Sequence, residues 1–171
     1  VTHLQGKHQQ RFSLPSPITA AMRDAQENIW IAGPAGIWKT VGDIPRFVTS
    51  LPSGSGADST VRALAVDAKD SLWVSINRRG LYVWKHHAWH KMLPVSALAS
   101  QIMPVSAATD AQGNVWFGYR DGLLIRQQED GVTRWTSKDG LDIGHVTAIL
   151  HHGGRTWVGG QNGMGWIEND R

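Results

Sequence analysis

The sequence predicts an all-β protein, a β-propeller of four four-stranded blades of about 42 residues each, and three recurring features predict it. Four of the nine tryptophans, Trp30, Trp73, Trp116 and Trp157, lie 43, 43 and 41 residues apart, each inside a short apolar run such as Ile29-Trp30-Ile31 or Val115-Trp116-Phe117. Six residues before the first three stands an aspartate (Asp24, Asp67, Asp110), and the fourth copy is degenerate, running His151-His152-Gly153-Gly154-Arg155-Thr156-Trp157. Six or seven residues after each tryptophan comes a glycine, Gly36, Gly80, Gly122 or Gly163, followed by an apolar residue. Strand, tight turn, strand, glycine turn and strand therefore recur, which is the grammar of a blade.

Each element has a physical reading. In Asp110-Ala111-Gln112-Gly113-Asn114 the aspartate can accept a bond from the backbone two residues on, and Gly113 can take the positive φ that a hairpin between twisted strands requires. Glu27 and Asp70 replace that glycine in two blades, which points to Asn28 or a bulge for the left-handed residue there. The tryptophan, able to bury up to about 250 Å², is expected to act as a wedge between neighbouring sheets. Phe12, Phe47, Trp89 and Trp135, each ending a more polar stretch, fit outer strands with one covered face.

The chain opens on an outer-strand pattern, Leu4 to Phe12, and closes after a third strand at Gly165-Trp166-Ile167. The N-terminal strand is therefore expected to pair beside the last one and remove two exposed edges. Three assemblies fit the count: a closed four-bladed ring, two chains forming an eight-bladed ring, or a fragment of a larger propeller.

Composition narrows the function classes. With 171 residues and 41% apolar content, positions 1–171 read as a single propeller domain or a propeller segment. The net charge is only +3 and like charges nowhere form a block of five, so no nucleic acid or anionic membrane partner is indicated. No apolar run approaches the roughly 18 to 20 residues that span a bilayer, and any signal peptide or anchor is expected outside these residues. Zero cysteines exclude disulfides and thiolate metal sites.

The run Asp110 to Leu123 (Asp-Ala-Gln-Gly-Asn-Val-Trp-Phe-Gly-Tyr-Arg-Asp-Gly-Leu) and the run Trp135 to Leu150 resemble the two-component regulator propeller repeat, in four copies covering nearly the whole chain. The resemblance implies a sensor propeller of the kind found in hybrid histidine kinases and diguanylate cyclases: periplasmic or otherwise extracytoplasmic, commonly many blades long, with the kinase or cyclase output domain outside this chain. Similar repeats occur in streptogramin B lyases and in secretion-associated propellers. WD-repeat and kelch signatures are absent.

Candidate chemistry follows. His86, His87 and His90 cluster, as do His151 and His152, but adjacent strand residues point to opposite faces, and they read as solvated hairpin histidines with no metal site. Asp24, Asp67 and Asp110 repeat at one turn position, which marks structure, and Gly159 to Gly165 reads as a blade turn. No catalytic residue and no cofactor is assigned. A lyase reading would need His145, His151 or His152 to approach Glu129 or Glu168 around a cavity. The loops after the second strand of each blade differ while the framework repeats, and they carry Arg78, Arg79, Tyr119, Arg120, Gln161 and Asn162. That set of donors and one ring suits a small-molecule or carbohydrate-like ligand, preferably acidic, or an envelope protein. A protein-interaction scaffold is a further reading. The Ser50 to Ser59 connection is expected to be mobile, and Leu93 to Met103, with Val95, Leu98, Ile102 and Met103, to cover a second copy or further propeller blades.

Overall fold

The three aspartates do more than close turns. In this computed structural model, which describes residues 2–5, 8–92 and 103–168, Asp110 Oδ1 accepts the backbone N–H groups of Gln112 and Asn114 at 3.0 and 2.9 Å, while its Oδ2 accepts the indole N–H of Trp116 at 2.8 Å. Asp24 holds Trp30 at 2.8 Å and Asp67 holds Trp73 at 2.9 Å in the same way. One carboxylate thus ties the first hairpin and aims the wedge. Gly113 takes φ 81° as expected, but in the other two blades Glu27 (φ 69°) and Asp70 (φ 58°) themselves adopt the left-handed conformation, not Asn28 or a bulge. The carboxylate clamp holds these residues in a region that a Cβ disfavours by roughly 1 to 2 kcal/mol.

The strands run in chain order. A hairpin of β1 (Thr2–Gln5) and β2 (His8–Arg11) comes first. Blade one contains β3 (Ala20–Arg23), β4 (Ile29–Gly33), β5 (Gly36–Val41) and β6 (Ile44–Thr49). Blade two contains β7 (Val61–Val66), β8 (Leu72–Ile76), β9 (Gly80–Lys85) and β10 (Ala88–Lys91). Blade three contains β11 (Ser106–Thr109), β12 (Val115–Gly118), β13 (Leu124–Gln128) and β14 (Gly131–Trp135). After a 3-10 turn at Ser137–Asp139, blade four contains β15 (Val146–His152), β16 (Arg155–Gly160) and β17 (Gly163–Ile167). Every blade is an antiparallel meander, and the whole is an all-β, four-blade propeller architecture.

The inner strands β3, β7, β11 and β15 stand side by side in that order. Hydrogen bonds brace them: Val61 N donates to Thr19 Oγ1 at 3.1 Å, Thr109 Oγ1 to the Val66 carbonyl at 2.7 Å, and Ser106 Oγ to the Val146 carbonyl at 2.7 Å. The core is three seams rather than one centre. Trp30 packs among Leu64, Leu72 and Val74 of blade two. Trp73 packs against Val115 and Phe117 of blade three, and Trp116 against Val146 and Val158 of blade four. Trp135, on the outer strand of blade three, stacks on Trp116 with centroids 5.1 Å apart, and the Arg126 guanidinium lies over both rings. Phe47 and Trp89 likewise lie on outer strands, β6 and β10.

Two further expectations change. The N-terminal strand does not complete blade four: β1 pairs with β2, and β17 has β16 as its partner in a three-stranded sheet. A local hairpin orders far less chain than a pairing across the length of the protein, so it is entropically cheaper to form. The Ser50 to Ser59 connection is anchored rather than free, because Leu51 and Pro52 are buried, Arg79 donates to the carbonyls of Ser53 and Gly54, and two internal turns close at Ser55 and Ser59. Of the apolar connection from Leu93 to Met103, residues 93–102, with Val95, Leu98 and Ile102, lie outside the described residues. Met103 accepts the Gly80 N–H on its sulfur at 3.0 Å. Among the described residues no helix is long and apolar enough to cross a membrane.

Trp116→Ala is expected to cost about 3 to 5 kcal/mol in chemical denaturation, since it empties a seam and removes the indole donor from Asp110 Oδ2. Trp89→Ala, half-buried on an outer strand with its N–H on the Ser50 carbonyl at 2.9 Å, should cost clearly less. Burial is the largest influence on the Asp24 carboxyl and raises it, but the bonds from Trp30, Asn28 and Lys39 together outweigh burial and hold it below its ordinary 3.8. A depressed carboxylate stabilises above its unfolded pKa of about 3.9 and loses that contribution as pH falls through the lower folded value. Urea melts at neutral pH and near pH 3 should show a larger loss for the wild type than for Asp24→Asn.

Candidate functional site

An antiparallel meander puts the start of the first strand and the turn after the second at the same end of a blade. The backbone bonds agree: Asn77 N donates to the Thr60 carbonyl, and Val105 N to the Gly118 carbonyl, both at 2.8 Å. All the variable turns therefore share one face. There, around the inner strands, a cleft of about 460 Å³ is lined by Thr19, Thr60, Arg62, Arg120, His145 and Thr147, with Val61 and Val105 at its floor. Four successive blades contribute. Arg62, Arg120 and His145 are exposed, and among the described residues the lining contains no carboxylate. Two guanidinium groups, an imidazole and threonine hydroxyls facing one cleft form a donor-rich, positively biased surface suited to an anion.

The sequence-derived site residues separate by role. Arg120 enters the cleft. Arg78, in the left-handed conformation at φ 60° in the β8–β9 turn, is exposed on the same face but outside the lining. Arg79 is half-buried and clamps the Ser53 and Gly54 carbonyls, so its guanidinium serves the Ser50 to Ser59 connection. Gln161 and Asn162 are exposed in the β16–β17 turn, where Asn162 N donates to the Ile143 carbonyl at 2.9 Å and its amide lies against Gly144. Tyr119 departs from the expected stacking role: at 3% exposure its ring belongs to the seam with Val115, Phe117 and Ile125. Residue period explains this, since Phe117 and Tyr119 fall on one side of the chain and Arg120 on the other. Arg62 lies at the start of an inner strand rather than in a turn, a position equally near the propeller axis that the repeat pattern does not mark.

Two further clefts open at the opposite end of the blades. One of about 720 Å³ between blades two and three is walled by Trp73, Trp84, Lys85, His87, Gln112 and Gln128, but its most prominent charges, Lys69 and Glu129, already pair with each other. His86 and His87 form the two-residue β9–β10 turn, both left-handed (φ 49° and 60°) and exposed. The other, about 280 Å³ between blades three and four, holds His151 and His152 beside Asp110 and Arg126. His151 Nδ1 lies 3.0 Å from Thr156 Oγ1, and burial pushes the imidazole below its ordinary pKa. The lyase constellation assembles only in part: His145 lies in the first cleft and Glu129 in the second, while Glu168 pairs at 3.2 Å with Arg155, which lines the third cleft together with His151 and His152.

No family model matches the chain, and no curated protein matches it. Solved structures do. The chain superimposes on the extracellular domain of the putative hybrid two-component system BT3049 from B. thetaiotaomicron with a TM-score of 0.68 at 16% identity, over 92% of this chain and 23% of that one. The extracellular domain of the putative one-component system BT4673 from the same organism gives 0.68 at 17% identity, over 95% and 23%. Virginiamycin B lyase from Staphylococcus aureus gives 0.61 at 16% identity, over 94% and 59%. The chain therefore spans about a quarter of the length of the two sensor-system domains. At these identities the likeness establishes the propeller fold.

Burial, aided by Asp121, pushes the Tyr119 phenol up to about 12. The neutral phenol's contribution to stability is present in full below the ordinary pKa of about 10 and is lost as pH rises through the folded value. Alkaline denaturation should show the wild type losing stability between about pH 10 and 12 that Tyr119→Phe retains, and a Tyr119 that ionises near pH 10 in the folded protein would contradict its place in the seam.

Proposed function

We propose that this chain is a non-catalytic, ligand-binding sensory propeller of a bacterial signal-transduction system, working outside the cytoplasm and binding an anionic small molecule or acidic carbohydrate at the cleft of Arg62, Arg120 and His145. The observation that carries the reading is that cleft: cationic and hydroxyl donors from four blades converge on it with no acid among its described lining residues. Guanidinium groups bind carboxylates bidentately, and threonine hydroxyls complement a polyhydroxylated ligand. Arg78, Gln161 and Asn162 border the same face and provide secondary contacts for a larger ligand. The fold likeness to extracellular domains of two bacterial sensor systems supports the extracytoplasmic signalling role, with the kinase or cyclase output carried outside this chain. The separation of His145 and Glu129 into different clefts, and the engagement of Glu168 by Arg155, favour binding over a lyase reaction.

Calorimetric titration of acidic and neutral oligosaccharides tests this against the wild type, Arg62→Ala/Arg120→Ala and, as a control on the same face, Arg78→Ala. Losing two charge-assisted contacts of about 1.5 to 3 kcal/mol each should weaken an acidic ligand at least 100-fold in the double variant. Arg78→Ala should lose less than about fivefold. Acidic ligands that bind the double variant as tightly as the wild type would place the site elsewhere.

A further inference from the structure

The three seams are not filled alike. Opposite the wedge tryptophan, blade one sets Lys39 and blade three Arg126, their cationic ends 4.9 and 5.3 Å over the indole, whereas blade two sets Val83. The facing blades differ too. The seam between blades one and two receives Trp84, opposite Leu72, and Trp89, opposite Trp84. In the seam between blades two and three the same two positions hold Gln127, opposite Val115, and Val132, opposite Gln127. A long cation and two indoles are thus replaced by two valines and an amide. The consequence is the cleft of about 720 Å³ between blades two and three, against about 280 Å³ between three and four. Trp73 is half-buried at this seam, while Trp30 and Trp116 are 6% and 2% exposed at theirs.

We propose that the cleft between blades two and three is a second ligand site, for a small, neutral, planar aromatic molecule that carries an N–H or O–H donor. The site lies at the opposite end of the blades from the Arg62–Arg120–His145 cleft and is independent of the anion reading there. Its volume is within the range of about 300 to 1,000 Å³ that small-molecule sites occupy. Trp73, Val83 and Val115 line it with apolar surface, and a flat ring would fill the place where the neighbouring seam keeps its own indoles. The wall is already ordered. Asp67 holds the Trp73 N–H at 2.9 Å and Phe117 packs 5.7 Å from its ring, so little side-chain freedom is lost on binding. Gln127 sets the polar requirement: its Nε2 donates to the carbonyls of Gln128 and Gly131 at 2.9 and 3.3 Å, which leaves Oε1 to accept a bond from the ligand. The mouth favours no net charge. Lys69 and Glu129 pair across the two blades at 2.5 Å, both exposed and therefore easily parted in water, and the exposed Lys85 and Asp70 carry opposite signs.

A saccharide fits less well. A polyol needs several donors and acceptors, and the amides beside this cleft are committed to the scaffold: Gln127 as above, Gln128 through its Oε1, which accepts from Thr133 at 3.1 Å, and Asn114 through its Nδ2, which donates to Asp110 at 3.0 Å. One aromatic wall, two valines and one spare acceptor select a ring with a single polar edge.

The nine indole N–H signals of the chain give a direct readout by NMR, with the Trp73 signal assigned from Trp73→Phe. Indole, 1-methylindole and methyl glucoside are the probes. Indole should shift the Trp73 signal. 1-Methylindole, which lacks the donor, should bind about fivefold more weakly, the worth of one hydrogen bond of about 1 kcal/mol. Methyl glucoside should leave the signal unmoved. Gln127→Trp restores the indole of the neighbouring seam, and Val83→Arg places over Trp73 the guanidinium that Arg126 sets over Trp116; each should lose indole binding while keeping the melting temperature, and either one decides the point if the other does not fold. Arg62→Ala/Arg120→Ala should bind indole as the wild type does, which separates this site from the anion cleft. A Trp73 signal that indole leaves unmoved up to its solubility overturns the proposal, as does indole binding unchanged in both slot-filling variants. Methyl glucoside acting at lower concentration than indole would make the cleft a sugar site and overturn it too. So would a response to indole that appears only when Leu93, Val95 and Leu98 are replaced by serine, since the chain itself would then be the occupant.

Discussion

One carboxylate per blade organises the molecule. Asp24, Asp67 and Asp110 each receive two backbone N–H groups from their own hairpin and one indole N–H from the tryptophan six residues on. The indole would otherwise bury a polar hydrogen at the seam without a partner, at a cost of about 1 to 3 kcal/mol. With the clamp in place, the same atoms close a turn, set the orientation of the largest side chain and position the surface on which the next blade packs. In blade four the aspartate position is occupied by His151, whose ring turns instead toward Trp116 and Thr156. The clamp is missing from the same blade whose tryptophan face lies open, with Leu150, Met164 and Trp166 exposed.

Because the core is distributed over three seams, each blade is stabilised mainly by its immediate neighbours, and the chain behaves as a short one-dimensional stack. The close approaches between blades are specific. A Cβ on Gly113 would come within 2.3 Å of the Ala68 Cβ, and one on Gly118 within 2.5 Å of the Val146 carbonyl oxygen. These glycines allow backbone of one blade to rest on backbone of the next, and Ala68 N donates to the Gly113 carbonyl at 3.1 Å across one such contact. The stack is consequently rigid where the blades meet, and its variable chemistry is confined to turns and strand starts that make few of these contacts.

That division accounts for what the site contains. Arg120 and His145 are brought within one cleft by the blade-to-blade bond from Val146 N to the Tyr119 carbonyl at 2.9 Å, and Arg62 joins them because β7 and β11 are adjacent. None of the three occupies the same place in the repeat as another, so their convergence comes from the rotation between blades. Arg79, adjacent to Arg78, is drawn to the Ser53 and Gly54 carbonyls, and Tyr119, adjacent to Arg120, is drawn into the seam. In both cases one residue of a polar-looking pair satisfies the scaffold and the other faces solvent.

The sequence by itself determined the repeat: the positions of the wedge tryptophans, the hairpin aspartates, the outer strands carrying Phe47, Trp89 and Trp135, and the face on which the turns lie. These follow from interactions within about 40 residues, where chemistry and spacing leave one solution. Only the tertiary structure decided that the first strand pairs locally with β2, that Glu27 and Asp70 bear the left-handed conformation, that Tyr119 is buried while Arg62 and His145 join Arg120, and that the last tryptophan face stands uncovered. Glu27 and Asp70 are held within their own hairpins by the Asp24 and Asp67 carboxylates, where the sequence left more than one residue able to take the turn; the others depend on which of several partners, separated by tens to more than a hundred residues of chain, a strand or side chain meets. That choice is made by loop-closure entropy and by the packing between blades, neither of which is written in the local pattern of residues.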